Sequence, residues 1–191
     1  MNAFLVSAGI VALGEIGDKT QLLAFMLATK FRKPVPIILG ILASTILNHA
    51  LAGFVGSWVT TVIGPVFLRW ILGLSFLGMA IWTLIPDKLD ENEAKFAKYG
   101  AFVTTLFAFF LAEMGDKTQI ATIALAAQFK TVFAVVAGTT VGILIADIPA
   151  VLIGDRAAKI IPVRIVHSVA AALFALIGIA TLLGVGAKFG F

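Results

Sequence analysis

With 191 residues, 61% of them hydrophobic and 13% charged, and a mean hydropathy of +1.10, the chain has more apolar surface than a soluble fold of about 45–50% apolar and 25% charged residues can bury. Lipid is the expected solvent, and the net charge of +4 does not point to nucleic acid, because the basic residues cluster at the ends of apolar runs. The absence of cysteine excludes disulfides, thiolate metal sites and cysteine nucleophiles.

Crossing roughly 30 Å of hydrocarbon takes about 20 mostly apolar residues. Runs of that kind predict an all-α, polytopic membrane protein with six transmembrane helices near 3–29, 35–58, 66–86, 100–128, 131–154 and 163–187. Met1 to Ile10 carry no positive charge, so the first run reads as a retained span rather than a cleaved leader. The first and fourth runs are too long for a straight crossing and should be tilted, kinked or locally unwound. The polar stretch DKLDENEAKFAKYG separates a three-helix unit over 1–86 from another over 100–191, with a linker over 87–99.

Alternate loops then lie on opposite sides of the membrane. One side holds nine basic residues: Lys30, Arg32, Lys33, Lys88, Lys95, Lys98, Arg156, Lys159 and Arg164; the other holds Arg69, Lys130 and Lys188. The positive-inside rule makes the first side cytoplasmic, with the central loop inside and both termini outside. For a bacterial chain the expected home is the inner membrane.

Sliding the chain against itself by 98 residues aligns EIGDKTQ (Glu15 to Gln21) with EMGDKTQ (Glu113 to Gln119), identical at six of seven positions. The same register pairs Leu27 with Leu125, Phe31 with Phe129 and Gly40 with Gly138. Three spans per unit is an odd number, so the second unit enters the membrane with opposite polarity. The expectation is a 3+3 inverted repeat with a substrate site near mid-membrane between the halves.

Each motif puts its acids in the middle of a span. A charge at the bilayer centre costs about 2.5–3.5 kcal/mol on insertion scales, and such groups ordinarily face an interior site. On a continuous helix Glu15 and Asp18, like Glu113 and Asp116, would share one face, with Lys19 and Lys117 close to it. Four carboxylates and two ammoniums leave a formal charge of −2, which one divalent cation balances. Thr20, Gln21, Thr118 and Gln119 add neutral oxygens. An oxygen-only set suits Mn²⁺, Ca²⁺ or Mg²⁺. Gly17 and Gly115 allow close helix approach or an unwound turn whose carbonyls join the set. The plainer alternative is structural, with Glu15–Lys19 and Glu113–Lys117 as i,i+4 ion pairs.

Other polar positions carry weaker signals. Asn48 and His49 align with Ala146 and Asp147. His49 and Asp147 could form a proton relay or support the ligands, or simply bond between helices. Ser44, Thr45, Thr139 and Thr140 are expected to bond back to their own helix carbonyls, and His167 to sit at the interface.

Two copies of E-x-G-D-[KR]-[TS], one opening each three-span half, resemble the Gdt-type cation transporters, and the resemblance covers the whole chain. It implies Mn²⁺ or Ca²⁺ as transported substrate rather than cofactor, and exchange for protons. For a bacterial member it implies manganese export. It carries over to Glu15, Gly17, Asp18, Lys19 and Thr20, and to Glu113, Gly115, Asp116, Lys117 and Thr118.

Transport out of an inside-negative cell costs about 2.3 kcal/mol per charge per 100 mV. No G-x-x-x-x-G-K-[ST] loop occurs in the sequence, so an ion gradient is the expected energy source. Partners are then a divalent cation, protons and lipid. Three rivals share the composition: an exporter of a basic amino acid or similar organic cation, an intramembrane aspartyl protease using Asp18 and Asp116, and a passive channel. The protease pattern is poorly met, since Glu15 and Glu113 stand where a glycine is expected. No aromatic cage accompanies the motifs for an organic cation, and no rings of charge repeat along a pore.

Overall fold

The computed structural model describes residues 2–85, 99–153 and 163–184. Among these it forms eight helices and no strand: α1 (Asn2–Glu15), α2 (Lys19–Phe31), α3 (Pro34–Val62), α4 (Pro65–Thr83), α5 (Ala101–Glu113), α6 (Lys117–Phe129), α7 (Val132–Ile153) and α8 (Val163–Leu182). Prolines at the first turns of α3 and α4 set where those helices begin. The ends of α2 and α6 are marked by Arg32 and Lys130, both left-handed and 98 residues apart. Residues 86–98, which include all of the predicted 87–99 linker but Tyr99, lie outside the described residues, as do Arg156, Lys159 and Lys188.

Four helices, α3, α4, α7 and α8, are long and apolar enough to cross a bilayer unaided. The first and fourth apolar runs are each split in two, as α1 with α2 and α5 with α6. Large apolar side chains such as Trp58, Phe67 and Phe133 stay exposed on the outside of the bundle, as lipid requires of them.

Helix partners are drawn from the opposite end of the chain. α1 packs along α7, α5 along α3 and α4 along α8, and α3 also meets α7. Both apolar cores consequently mix residues from the two ends, one around Leu23, Ile41, Phe109 and Ile143, the other around Ile10, Phe76, Leu125 and Phe174. Close approach comes from glycine. A Cβ on Gly40 would stand 2.7 Å from Thr105 Cβ, and one on Gly138 would strike the Phe4 carbonyl and lie 3.0 Å from Ser7 Cβ. These contacts are 98-residue counterparts of one another, Phe102 and Thr105 answering to Phe4 and Ser7. Without a hydrophobic drive between helices in lipid, association rests on close packing, interhelical hydrogen bonds and lipid entropy, and small residues allow the first.

Candidate metal centre

Both acidic motifs adopt the same broken-helix geometry. Glu15 ends α1 and Asp18 is the N-cap of α2; Glu113 ends α5 and Asp116 is the N-cap of α6. Between them the chain turns through Gly17 (φ 84°) and Gly115 (φ 79°), a left-handed conformation that costs an L residue roughly 1–2 kcal/mol. At Gly115 a Cβ would meet nothing within 4 Å, so backbone conformation rather than crowding asks for glycine. The expectation that each Glu and Asp share one face of a continuous helix is therefore corrected. The break points the acids inward from two different helix ends instead.

Side chains hold each break open in the same way. Thr20 donates to Glu15 Oε2 at 2.6 Å, and Thr118 to Glu113 Oε2 at 2.7 Å. Gly17 N–H donates to Gln21 Oε1 at 2.9 Å, and Gly115 N–H to Gln119 Oε1 at 2.7 Å. Each glutamine amide then reaches into the opposite end of the fold. Gln21 Nε2 donates to the Ala146 carbonyl at 2.8 Å, while Gln119 Nε2 donates to the Asn48 side chain. Asn48 in turn donates to Phe110 O at 3.2 Å. Both glutamine oxygens are thus spent on the backbone, so these residues shape the turn.

The lysine ion pairs seen among the described residues cross between the motifs. Lys117 is ion-paired with Asp18, and Lys19 lies 3.3 Å from Asp116 Oδ1. This overturns the i,i+4 alternative, in which each lysine neutralised its own glutamate. The crossed pairs engage the aspartates rather than the glutamates. The arrangement is also unequal: the Lys117 side chain is 1% exposed and that of Lys19 is 20%.

One carboxylate oxygen from each of Glu15, Glu113 and Asp116 falls within 4.8 Å of the others, and all three residues are buried. Asp18 is not in that trio and is held by Lys117. Glu15 Oε1, Glu113 Oε1 and Asp116 Oδ2 have no hydrogen-bond partner among the described residues. Buried oxygens left unsatisfied are costly, and a cation that several of them share removes the cost. The breaks set the negative C-terminal ends of α1 and α5 beside the glutamates and the positive N-terminal ends of α2 and α6 beside the aspartates.

His49 and Asp147 are both fully buried. His49 Nδ1 lies 2.8 Å from Thr139 Oγ1, and both Asp147 oxygens lack a partner among the described residues. His167 bonds through Nε2 to the Ile16 carbonyl at 2.7 Å, inside the first break. Its link to the motif had no trace in the sequence. Thr139 bonds back to Val136 O as expected, whereas Ser44, Thr45 and Thr140 have no hydrogen-bond partner among the described residues.

The chain matches the family described as the divalent cation/proton antiporter GDT1 over residues 3–91 and 101–188. A Vibrio cholerae protein described as a candidate manganese exporter is 49% identical over 182 residues, covering 95% of this chain and 90% of its own length. GDT1-like proteins of Oryza sativa and Synechocystis are each 30% identical over 200 residues, covering 91% and 94% of this chain and 71% and 96% of their own lengths. No solved structure matches the chain significantly.

Proposed function

Since this chain belongs to the GDT1 family of divalent cation/proton antiporters, we propose that it exports Mn²⁺, and secondarily Ca²⁺, from the cytoplasm in exchange for protons. The family consists of transporters, not enzymes, so the protease reading has no support, and neither does the organic-cation reading. The manganese assignment is drawn from the Vibrio relative.

The observation that carries the site is the meeting of Glu15 with Glu113 and Asp116, acids from both motifs within reach of one ion. In our reading these three bind the cation directly. Asp18 exchanges between Lys117 and the ion as the halves move. Lys19 and Lys117 neutralise the aspartates when the ion leaves, and Thr20, Thr118, Gln21 and Gln119 hold the two turns in shape. Protons compete with the cation for the carboxylates, so a proton-rich exterior releases metal on that side and recharges the site for return.

The architecture proposed is a 3+3 inverted repeat of six spans, units 1–86 and 100–191, in which α1 with α2 and α5 with α6 each make one broken crossing. Repeated break geometry, crossed ion pairs and mutual glycine contacts at an offset of 98 support it, and the odd number of spans per unit supplies the inversion. Positive-inside charge supports a cytoplasmic central loop, outside termini and residence in the inner membrane.

The test is flux into proteoliposomes loaded with Mn²⁺, Ca²⁺ or lysine, with and without a pH gradient. Metal flux driven by the gradient, abolished in Asp18→Asn and in Asp116→Asn while both variants remain folded, is expected. Full transport by either variant, or flux of lysine but not metal, would contradict the proposal.

A further inference from the structure

His49 is anchored through Nδ1 to Thr139 on the neighbouring helix. Thr139 has one hydroxyl hydrogen, and it is donated to Val136 O at 3.2 Å along its own helix. In the tautomer in which Thr139 Oγ1, 2.8 Å away, is the acceptor, His49 Nδ1 carries the ring hydrogen. In the neutral ring the lone pair then sits on Nε2. That nitrogen is buried, has no hydrogen-bond partner among the described residues, and faces Glu113 Oε2 at 4.0 Å.

A lone pair and a carboxylate oxygen have nothing to exchange with each other directly. Two donors on a single ion, each bonded at roughly 2.0–2.6 Å, stand about 3 Å apart when adjacent and up to about 5 Å when opposed. At 4.0 Å the pair has the spacing of two ligands of one cation. Glu113 is a member of the carboxylate trio, whose oxygens lie within 4.8 Å of one another; His49 Nε2 stands outside that set and reaches it through Glu113, so the ion it would join is the one the trio would hold.

We propose that His49 Nε2 is a nitrogen ligand of the transported cation, and that it makes the site prefer first-row transition ions to calcium and magnesium. The proposal rests on reading the trio as the transport site. Calcium and magnesium take oxygen donors almost exclusively, whereas first-row transition ions also accept imidazole, Mn²⁺ the least strongly of them. Thr139 is the positioning residue: by accepting from Nδ1 it fixes the tautomer and aims Nε2. The counterpart of His49 is Asp147, so only one of the two equivalent positions supplies nitrogen, and the donor set stays mostly oxygen.

Pulsed electron paramagnetic resonance of the full-length protein loaded with Mn²⁺ tests this without a variant. Nitrogen modulation from a directly bound imidazole is expected, and bound Mn²⁺ lacking it overturns the proposal. Equilibrium binding of Mn²⁺ and Ca²⁺ to His49→Asn, whose amide can keep the Thr139 bond, supplies the second arm. Mn²⁺ affinity should fall about tenfold or more, while Ca²⁺ affinity should shift by less than about twofold. Equal losses for the two ions would overturn the role in selectivity. Failure of the underlying site looks different: the wild-type protein would bind no divalent cation, or would bind it just as well after Glu113→Gln.

Discussion

Lys117 on α6 is ion-paired with Asp18 at the N-cap of α2, and neither side chain reaches the surface. Removing one member of a buried pair strands the other charge and typically costs about 3–5 kcal/mol. Lys117→Met should therefore lower the thermal unfolding temperature in detergent sharply. Lys19→Met should cost less, because that lysine is partly exposed and sits 3.3 Å from Asp116. Combining Asp18→Asn with Lys117→Met should recover part of the loss, since the stranded charge disappears with its partner.

Helix approach through Gly138 leaves no room for a methyl group against the Phe4 carbonyl. Gly138→Ala should destabilise the protein by about 1–3 kcal/mol through overpacking. Gly9→Ala is the matched control: nothing lies within 4 Å of its added Cβ, so alanine there should be neutral or raise stability by about 1 kcal/mol through helix propensity. Thermal melts of the two variants in one detergent make the comparison.

Gln21 and Gln119 brace the two breaks through unlike anchors, a backbone carbonyl at Ala146 and the side chain of Asn48. Asn48→Ala should thus reproduce the defect of Gln119→Ala. Substituting serine for Ala146 should leave the Gln21 bond intact. Each lost brace exposes buried polar groups at roughly 1–3 kcal/mol. The expected result is slower Mn²⁺ transport with the order of cation preference unchanged, read as initial rates across a series of ions.

His167 ties α8 to the first break through the Ile16 carbonyl. His167→Leu removes the donor and should cost about 1 kcal/mol in stability, while His167→Gln, which retains a donor, should recover much of it.

The duplicated motif was legible because its residues are nearly identical and their charge is out of place in lipid. Helix positions followed from apolar runs, and the ends set by Pro34 and Pro65 landed within a residue or so of expectation. What could not be read was anything requiring two distant segments to be set side by side. A glycine between two acids is compatible with a tight helix contact or a broken helix, and only the positive φ at Gly17 and Gly115 decides between them. For the lysines the sequence displays only the i,i+4 alternative, because that spacing is visible and a crossed partner 98 or so residues away is not. The partner of His167 is hidden for the same reason. Its acceptor is a backbone carbonyl, which looks identical at every residue until a helix break frees it.

The central claim is that acids from both motifs converge on one cation. Anomalous scattering from the full-length protein crystallised with Mn²⁺ addresses it directly. A single manganese peak within bonding distance of Glu15, Glu113 and Asp116 is the predicted result. Two separate peaks, one at each motif, or a peak touching the acids of only one, would contradict the account.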